Sequence, residues 1–143
     1  MAGPYTRAVR RFPLLAALVL VLVLAACGGG SSKPYTAAGT KACLIQKGFT
    51  GVTTNADKVG FIAAFASNGG IQAKSSTGNV LTIAFTQGPG SVAGTERAFR
   101  RNAPASLRPH MSDIMEAQGS AVLVWTVSPT TQELSDAEGC LAS

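Results

Sequence analysis

The sequence predicts an α+β fold, in which an antiparallel sheet of four to five strands carries helices on one face. Two segments, residues 71–86 and 114–128, have the pattern of a strand, a glycine-containing turn and a second strand. A helix-like segment precedes and follows each of them. The two halves therefore share one order of elements, which suggests two helix–hairpin repeats.

The N-terminal part of the domain is predicted to be helical. Thr36 to Lys47 has the pattern of a short helix, and Gly48 follows where glycine commonly ends helices. Residues 57–67 form a second predicted helix, because three of their apolar residues recur at helical spacing: Val59, Ile62 and Phe65.

The first hairpin joins a strand at Ile71–Ser75 to a strand at Val80–Thr86. The second strand alternates between large apolar residues and smaller or polar ones. This alternation predicts a buried face made by Leu81, Ile83 and Phe85, and a wetter face made by Thr82, Ala84 and Thr86.

A third helix is predicted from Ser91 to Arg101, and Pro104 prevents it from extending far. The preceding residues Gly88 to Ala93 fit G-x-G-x-x-A, a pattern that cradles phosphates in dinucleotide-binding turns. The chain lacks the alternating βαβ order of such proteins. We therefore interpret the segment as an ordinary strand-to-helix turn, with glycine at positive φ and Ser91 as the N-cap.

Residues 102–112 are predicted to be a loop that leads to the second hairpin, Ile114–Gln118 and Ala121–Ser128. Residues 122–127 are apolar on both faces apart from Thr126, which predicts a central strand. Thr130 and Glu133 have the spacing of a capping box and open the last helix.

The combined periodicities also predict which side chains form the core, with the arginines of the third helix outside it. The predicted core residues are Leu44, Phe65, Leu81, Ile83, Phe85, Phe99, Leu123 and Trp125.

The first 27 residues end in Leu24-Ala25-Ala26-Cys27. Arg7, Arg10 and Arg11 precede an apolar run from Leu14 to Ala26, and a Gly/Ser stretch follows the cysteine. This arrangement resembles a bacterial lipoprotein signal peptide with its lipobox. The resemblance implies that Cys27 is diacylated on sulfur and becomes the mature N-terminus. The protein would then be lipid-anchored on the exported face of the cell membrane.

The apolar run has 13 residues, about 20 Å of helix, whereas a bilayer core is about 30 Å thick. An uncleaved transmembrane anchor and a signal cleaved without lipidation remain the alternatives. The resemblance divides the chain into a signal peptide (1–26), the lipidated Cys27 with a Gly/Ser linker (27–35) and one small α+β domain (36–143).

Once Cys27 carries lipid, Cys43 and Cys140 are the two remaining cysteines. An even number of cysteines in an exported protein favours a disulfide. Such a bridge would join the first helix to the C-terminal segment. Two unpaired buried thiols are the alternative.

The charge of the mature chain is small. Three of the twelve basic residues lie in the signal peptide, which leaves nine basic and seven acidic side chains and a net charge of +2. A nucleic-acid partner is therefore not expected. Arg97, Arg100, Arg101 and Arg108 could contact anionic headgroups beside a lipid anchor, although a solvated helix face is the simpler interpretation.

No residue pattern indicates catalysis, a metal site or a cofactor. His110 is the single histidine and lacks a surrounding set of ligands, so we interpret it as a surface residue. Asp113 and Glu116 are three residues apart, which is weak support for acid–base chemistry. Trp125 lies in an apolar strand and is predicted to belong to the core rather than to stack on a ligand.

These observations favour a non-catalytic envelope lipoprotein that binds an envelope protein or a small ligand. The alternatives are an enzyme that acts on an envelope polymer and a structural or adhesion lipoprotein. An enzyme would show at least two titratable groups in one cleft. A binding module would show an exposed apolar patch or a groove without such a cluster.

Overall fold

The structure, a computed structural model, describes residues 33–143, which contain six α-helices, one 3-10 helix and five strands. The helices are α1 (Ala37–Gln46), α2 (Ala56–Val59), α3 (Phe61–Ala64), α4 (Pro89–Asn102), α5 (Met111–Ile114) and α6 (Thr131–Glu138), and the 3-10 helix is Arg108–His110. The strands are β1 (Thr50–Thr53), β2 (Gly70–Lys74), β3 (Val80–Phe85), β4 (Met115–Gln118) and β5 (Ala121–Trp125).

The five strands form one antiparallel sheet in the order β1-β2-β3-β5-β4. The predicted α+β fold is therefore confirmed, and β5 is a central strand as predicted. Each hairpin, β2–β3 and β4–β5, places its second strand at the centre, where Ile83 pairs with Leu123. This arrangement fits the two helix–hairpin repeats.

The edge strand β1 is the one strand that the sequence analysis does not predict. It has four residues, none of them buried, and its register against β2 is irregular. A strand of this kind carries no alternation of apolar and polar residues, because neither of its faces is covered completely.

The first face of the sheet holds most of the core. Leu81, Ile83, Phe85 and Leu123 are fully buried, as is Leu44 of α1. Trp125 is 2% exposed and contacts the ring of Phe49. The predicted buried face of β3 is confirmed.

The second face of the sheet, which carries Thr82, Ala84 and Val124, is covered by helices too. Ala84 packs with Val59 and Ala63 of the short helices in a second buried cluster. Gly70 makes this contact possible, because a Cβ there would lie 2.5 Å from the carbonyl oxygen of Ala63. Helices therefore contact both faces, whereas one covered face was expected, and Ala84 and Thr86 are buried rather than wet.

The predicted helix over residues 57–67 is two short helices that meet at Gly60. Gly60 has φ 80° and ψ 156°, a conformation that interrupts the helix and that residues other than glycine rarely adopt. The break turns Phe65 outward, where it is 78% exposed. The prediction of Phe65 as a core residue was wrong, and Phe99 is only partly buried.

Helix α4 begins at Pro89 rather than at Ser91. Gly88 is its N-cap residue with an extended φ of 174°, and no side chain caps the helix. The predicted turn between strand and helix is present, but neither the positive φ nor the Ser91 cap is found. The predicted loop 102–112 also contains the 3-10 helix and the start of α5.

The N-terminal boundary of the domain lies slightly before the predicted residue 36. The backbone N–H of Tyr35 donates to Ser120 Oγ at 2.7 Å, and the Tyr35 ring lies against Gly119. The signal peptide 1–26, Cys27 and the linker up to Ser32 fall outside the described residues. Within residues 33–143, no helix is both long and apolar enough to cross a membrane.

Candidate binding groove

An apolar groove lies on the second face of the sheet, between α3 on one side and α4 and α5 on the other. One part has a volume of about 280 Å³, and the adjoining part, closer to α2, has a volume of about 410 Å³. The two parts share five lining residues, Ile62, Thr82, Phe99, Asn102 and Val124. They therefore form one continuous groove.

The floor and walls of the groove follow from the fold. Val80, Thr82 and Val124 form the floor, since alternate residues of β3 and β5 face this side of the sheet. Ile62 of α3 and Phe99 of α4 form two walls. The segment after α4 closes one end with Ala103, Pro104, Leu107, Met111 and Ile114.

The chemistry of the groove is apolar. Among the described residues that line it, none carries a charge. Two of its polar side chains bond to the protein itself: Asn102 Nδ2 donates to the Ala98 carbonyl at 2.8 Å, and Thr126 Oγ1 donates to Asn79 Oδ1 at 2.9 Å. A groove of this kind suits an apolar ligand with few polar groups.

Trp125 borders the groove but is a core residue, as predicted. Its ring is 2% exposed, so a ligand cannot stack on it without a rearrangement. Its indole Nε1 is the single buried side-chain polar atom of residues 33–143 without a hydrogen-bond partner. Its ring lies on the first face of the sheet, as does its β3 partner Leu81, whereas the groove lies on the second face.

An exposed aromatic pair adjoins the groove. Phe61 lines its edge, and the rings of Phe61 and Phe65 lie 4.8 Å apart between centroids. The two side chains are 76% and 78% exposed. The sequence analysis missed this pair because it treated residues 57–67 as one helix, although Gly60 between Val59 and Phe61 could have signalled the break.

A separate polar cleft lies where the β2–β3 turn meets α6. Glu133 Oε1 accepts hydrogen bonds from Ser75 Oγ and Thr77 Oγ1, both at 2.6 Å. Its Oε2 accepts from the Thr130 backbone N–H at 2.8 Å, and Thr130 Oγ1 accepts from the Glu133 N–H. The predicted capping box is therefore present and is extended to a turn more than fifty residues away in the sequence.

The cleft also holds an ion pair between Lys47 Nζ and Asp136 Oδ1 at 3.1 Å. Hydrogen bonds from Gln132 and Lys47 lower the pKa of Asp136. Burial acts to raise the pKa of Glu133, but the bonds from Ser75, Thr77 and Thr130 outweigh it and hold the pKa at about 2.

The hydrogen bonds that Glu133 accepts from Ser75, Thr77 and Thr130 give it a structural role, and its low pKa agrees with this. A general acid or base works best with a pKa near the operating pH, and a carboxylate with a pKa of about 2 neither donates nor accepts a proton readily at neutral pH. Both of its oxygens also accept hydrogen bonds from the protein. The cleft thus fastens α6 to the sheet.

Glu133→Gln is expected to flatten the acid limb of the stability curve. The pKa of Glu133 is about 2 in the folded domain against an ordinary 4.5, so the unfolded chain takes up the proton first as the pH falls. The stabilisation is complete above the ordinary pKa and is lost as the pH falls toward the folded value, by about 3 kcal/mol in all.

Urea unfolding across the acid range measures this effect. Glu116→Gln is the matched control, because Glu116 is an exposed glutamate on β4 and should leave the slope unchanged. A Glu133→Gln variant that kept the wild-type pH dependence would contradict the structural role of Glu133.

The other candidate residues from the sequence lie apart from the groove. Arg97, Arg100 and Arg101 are exposed on α4. Arg108 Nε donates to the Ala103 carbonyl at 3.0 Å and so caps the end of that helix. His110 is exposed, and its Nδ1 lies 3.8 Å from Asp113 Oδ2.

Asp113 belongs to α5 and Glu116 to β4, so the two carboxylates do not share a helix face. Among the described residues, no group of three or more His, Cys, Asp or Glu side chains could hold a metal ion.

Comparison of the chain with protein-family models, with curated proteins and with solved structures finds no match.

Proposed function

We propose that this protein is a lipid-anchored envelope lipoprotein whose domain is a non-catalytic module that binds an apolar ligand. The observation that carries the proposal is the continuous, uncharged groove on the second face of the sheet. The two parts of the groove, of about 280 and 410 Å³, together have the size of a small-molecule site. The lining of the groove is mostly aliphatic and aromatic, as in such sites.

The polar cleft supports the same assignment. It is the place where Glu133, Asp136 and Lys47 come together, which is the kind of cluster that an enzyme would use. Each of these groups instead makes a structural contact: Glu133 caps α6, and Asp136 pairs with Lys47 at the end of α1. The apolar groove is therefore the better candidate for a functional site.

The anchor part of the proposal is tested at Cys27. Cys27→Ser should abolish labelling of the protein by a fatty-acid analogue fed to the host, because the sulfur that accepts the diacylglyceryl group is removed. Cys43→Ser is the control for cysteine loss and should keep the label. Label that persists on the Cys27→Ser protein would refute the anchor.

The binding part is tested by quenching of Trp125. A long-chain fatty alcohol that carries bromine on its chain should quench the fluorescence of Trp125, the single tryptophan of the chain, saturably, because Trp125 follows Val124 on β5 and its ring lies directly behind the groove floor. Val124→Ser should weaken binding by about fivefold, since it removes apolar contact from the floor.

Val127→Ser is the matched control. Val127 is 60% exposed and lies outside the groove, so binding by this variant should equal that of the wild type. Quenching that never saturates, or equal effects of the two substitutions, would contradict a ligand in the groove.

A further inference from the structure

The exposed aromatic pair, Phe61 and Phe65, lies beside a line of basic side chains on α4. Phe65 shares a shallow depression with Gly94 and Ala98 of that helix. Arg97 and Arg101 follow these two residues by three positions each and so lie on the adjoining side of the helix. Arg97 Nη2 reaches to 4.0 Å from where a Gly94 Cβ would lie.

Together, Phe61, Phe65, Arg97 and Arg101 form a surface that we term the aromatic–basic surface. All four side chains are exposed. Within residues 33–143, neither arginine forms a salt bridge with a carboxylate. The surface therefore presents two large apolar rings and two uncompensated positive charges to the surroundings.

The chain enters the domain at the end of the sheet where Phe65 lies. Tyr35 is bound to Ser120 at the β4–β5 turn. Thr86 Oγ1 donates to the Ser120 carbonyl at 2.9 Å, and Thr86 also lines the depression that holds Phe65. Phe65 is thus near the end of the sheet at which the chain enters the domain.

The chain length places a limit on how far this end can be from the anchor. Eight residues lead from Cys27 to Tyr35, and even fully extended they span at most about 26–29 Å. Under the proposed function, Cys27 carries acyl chains that lie in the bilayer. The aromatic–basic surface is then held within a few nanometres of the lipid headgroups.

We propose that the aromatic–basic surface docks on an anionic bilayer, with Phe61 and Phe65 in the interfacial region and Arg97 and Arg101 at the headgroups. The proposal rests on the proposed lipid anchor for its location but not for its contacts. Aromatic side chains partition favourably into the interface, and each arginine near an anionic surface adds electrostatic attraction.

The chemistry of the surface favours a bilayer over a protein groove. Phe61 begins a helix of four residues and Phe65 directly follows it, and a helix of this length is too short to present a row of anchors to a groove. Arg97 and Arg101 are both positively charged and therefore complement anionic headgroups. Docking here would also fix the orientation of the domain and hold the groove, whose edge includes Phe61, close to the lipid.

The test is co-sedimentation of residues 33–143, which lack Cys27, with vesicles of stated composition. This part contains all five strands and both core clusters, and it forms one compact unit. It also contains a disulfide between Cys43 and Cys140, which confirms the predicted pairing. Binding is expected to vesicles of phosphatidylcholine and phosphatidylglycerol in equal parts. Little is expected to phosphatidylcholine alone, or in 1 M salt, where the Debye length is about 3 Å.

Two paired variants separate the aromatic and the basic contributions. Phe61→Ser with Phe65→Ser should lower binding by about tenfold. Arg97→Gln with Arg101→Gln should lower it by about fivefold for each charge removed. The control for the aromatic pair is Ile45→Ser, because Ile45 is an apolar residue that is 53% exposed on α1. The control for the arginines is Arg100→Gln, because Arg100 is two residues from Ala98 and therefore lies on the other side of α4. Both should bind like the wild type, and circular dichroism checks that every variant is folded.

The outcomes are distinct. A wild-type domain that fails to bind the anionic vesicles overturns the proposal. Binding that is insensitive to the phenylalanine pair also overturns it. Because the domain in this experiment has no anchor, its result is independent of the Cys27 labelling and of the Trp125 quenching.

Discussion

Loss of the Cys43–Cys140 disulfide is expected to lower the free energy of unfolding by about 4–5 kcal/mol. The two cysteines are 97 residues apart, so the bridge closes a loop that contains nearly the whole domain. A cross-link of this length removes a large part of the conformational freedom of the unfolded chain.

The native geometry should survive in the absence of the bridge. The Thr36 N–H donates to the Ala142 carbonyl at 2.8 Å, and the Ala142 N–H donates to Thr40 Oγ1 at 3.2 Å. Lys47 pairs with Asp136 between the same two segments. These contacts hold α1 beside the C-terminal segment, so the main effect of the substitution is on the unfolded chain.

Denaturant unfolding of residues 33–143 measures the difference between the wild type and Cys43→Ala with Cys140→Ala. The reduced wild type is the internal control and should unfold at the same denaturant concentration as the double variant. Mass spectrometry without reductant should find both thiols blocked in protein exported to an oxidising compartment. A loss of stability below about 1 kcal/mol would show that the bridge constrains the unfolded chain far less than its length implies.

Phe85→Ala is expected to cost about 3–5 kcal/mol, the range for a buried phenylalanine. Phe85 is fully buried at the end of β3, where it pairs with Ala121 of β5. Its strand is hydrogen-bonded to β2 on one side and to β5 on the other. Because the backbone is held on both sides, the cavity left by the ring cannot close.

The matched control is a second phenylalanine. Phe65→Ala removes the same atoms from a side chain that is 78% exposed, so its cost should stay within about 0.5 kcal/mol. Arg100→Gln and Arg101→Gln should each have a similarly small effect on the free energy of unfolding. Equal losses for the two phenylalanine variants would reverse the assignment of inside and outside.

Local patterns predicted much of the fold. The alternation of Leu81, Ile83 and Phe85 predicted a buried strand face, and the apolar run after Ala121 predicted a central strand, because burial selects residue type directly at these positions. The spacing of Thr130 and Glu133 predicted a capping box, since this contact is made within one helical turn. The two cysteines that remain if Cys27 carries lipid, together with the resemblance to an exported lipoprotein, predicted the disulfide.

Features that depend on contacts between distant segments were not predicted. The helical spacing of Val59, Ile62 and Phe65 predicted that Phe65 is buried, and only the backbone conformation at Gly60 shows that the spacing does not continue through one helix. The groove is equally hidden, because Ile62, Thr82 and Val124 come from three separate segments. The capping box also extends to Ser75 and Thr77, which lie 58 and 56 positions from Glu133 in the sequence.

The sequence by itself determined four of the five strands and the antiparallel sheet they form, the first and last helices, the pairing of Cys43 with Cys140 and the resemblance to a lipoprotein signal. Each of these features depends on residues that are close together in the chain or, for the disulfide, on cysteines, which commonly pair in exported proteins. The tertiary structure alone decided that helices contact both faces, that Phe61 and Phe65 are exposed and that an uncharged groove remains between α3, α4 and α5. These properties arise when separate segments pack and leave some apolar surface uncovered, and the free energy of that packing depends on all of the segments together.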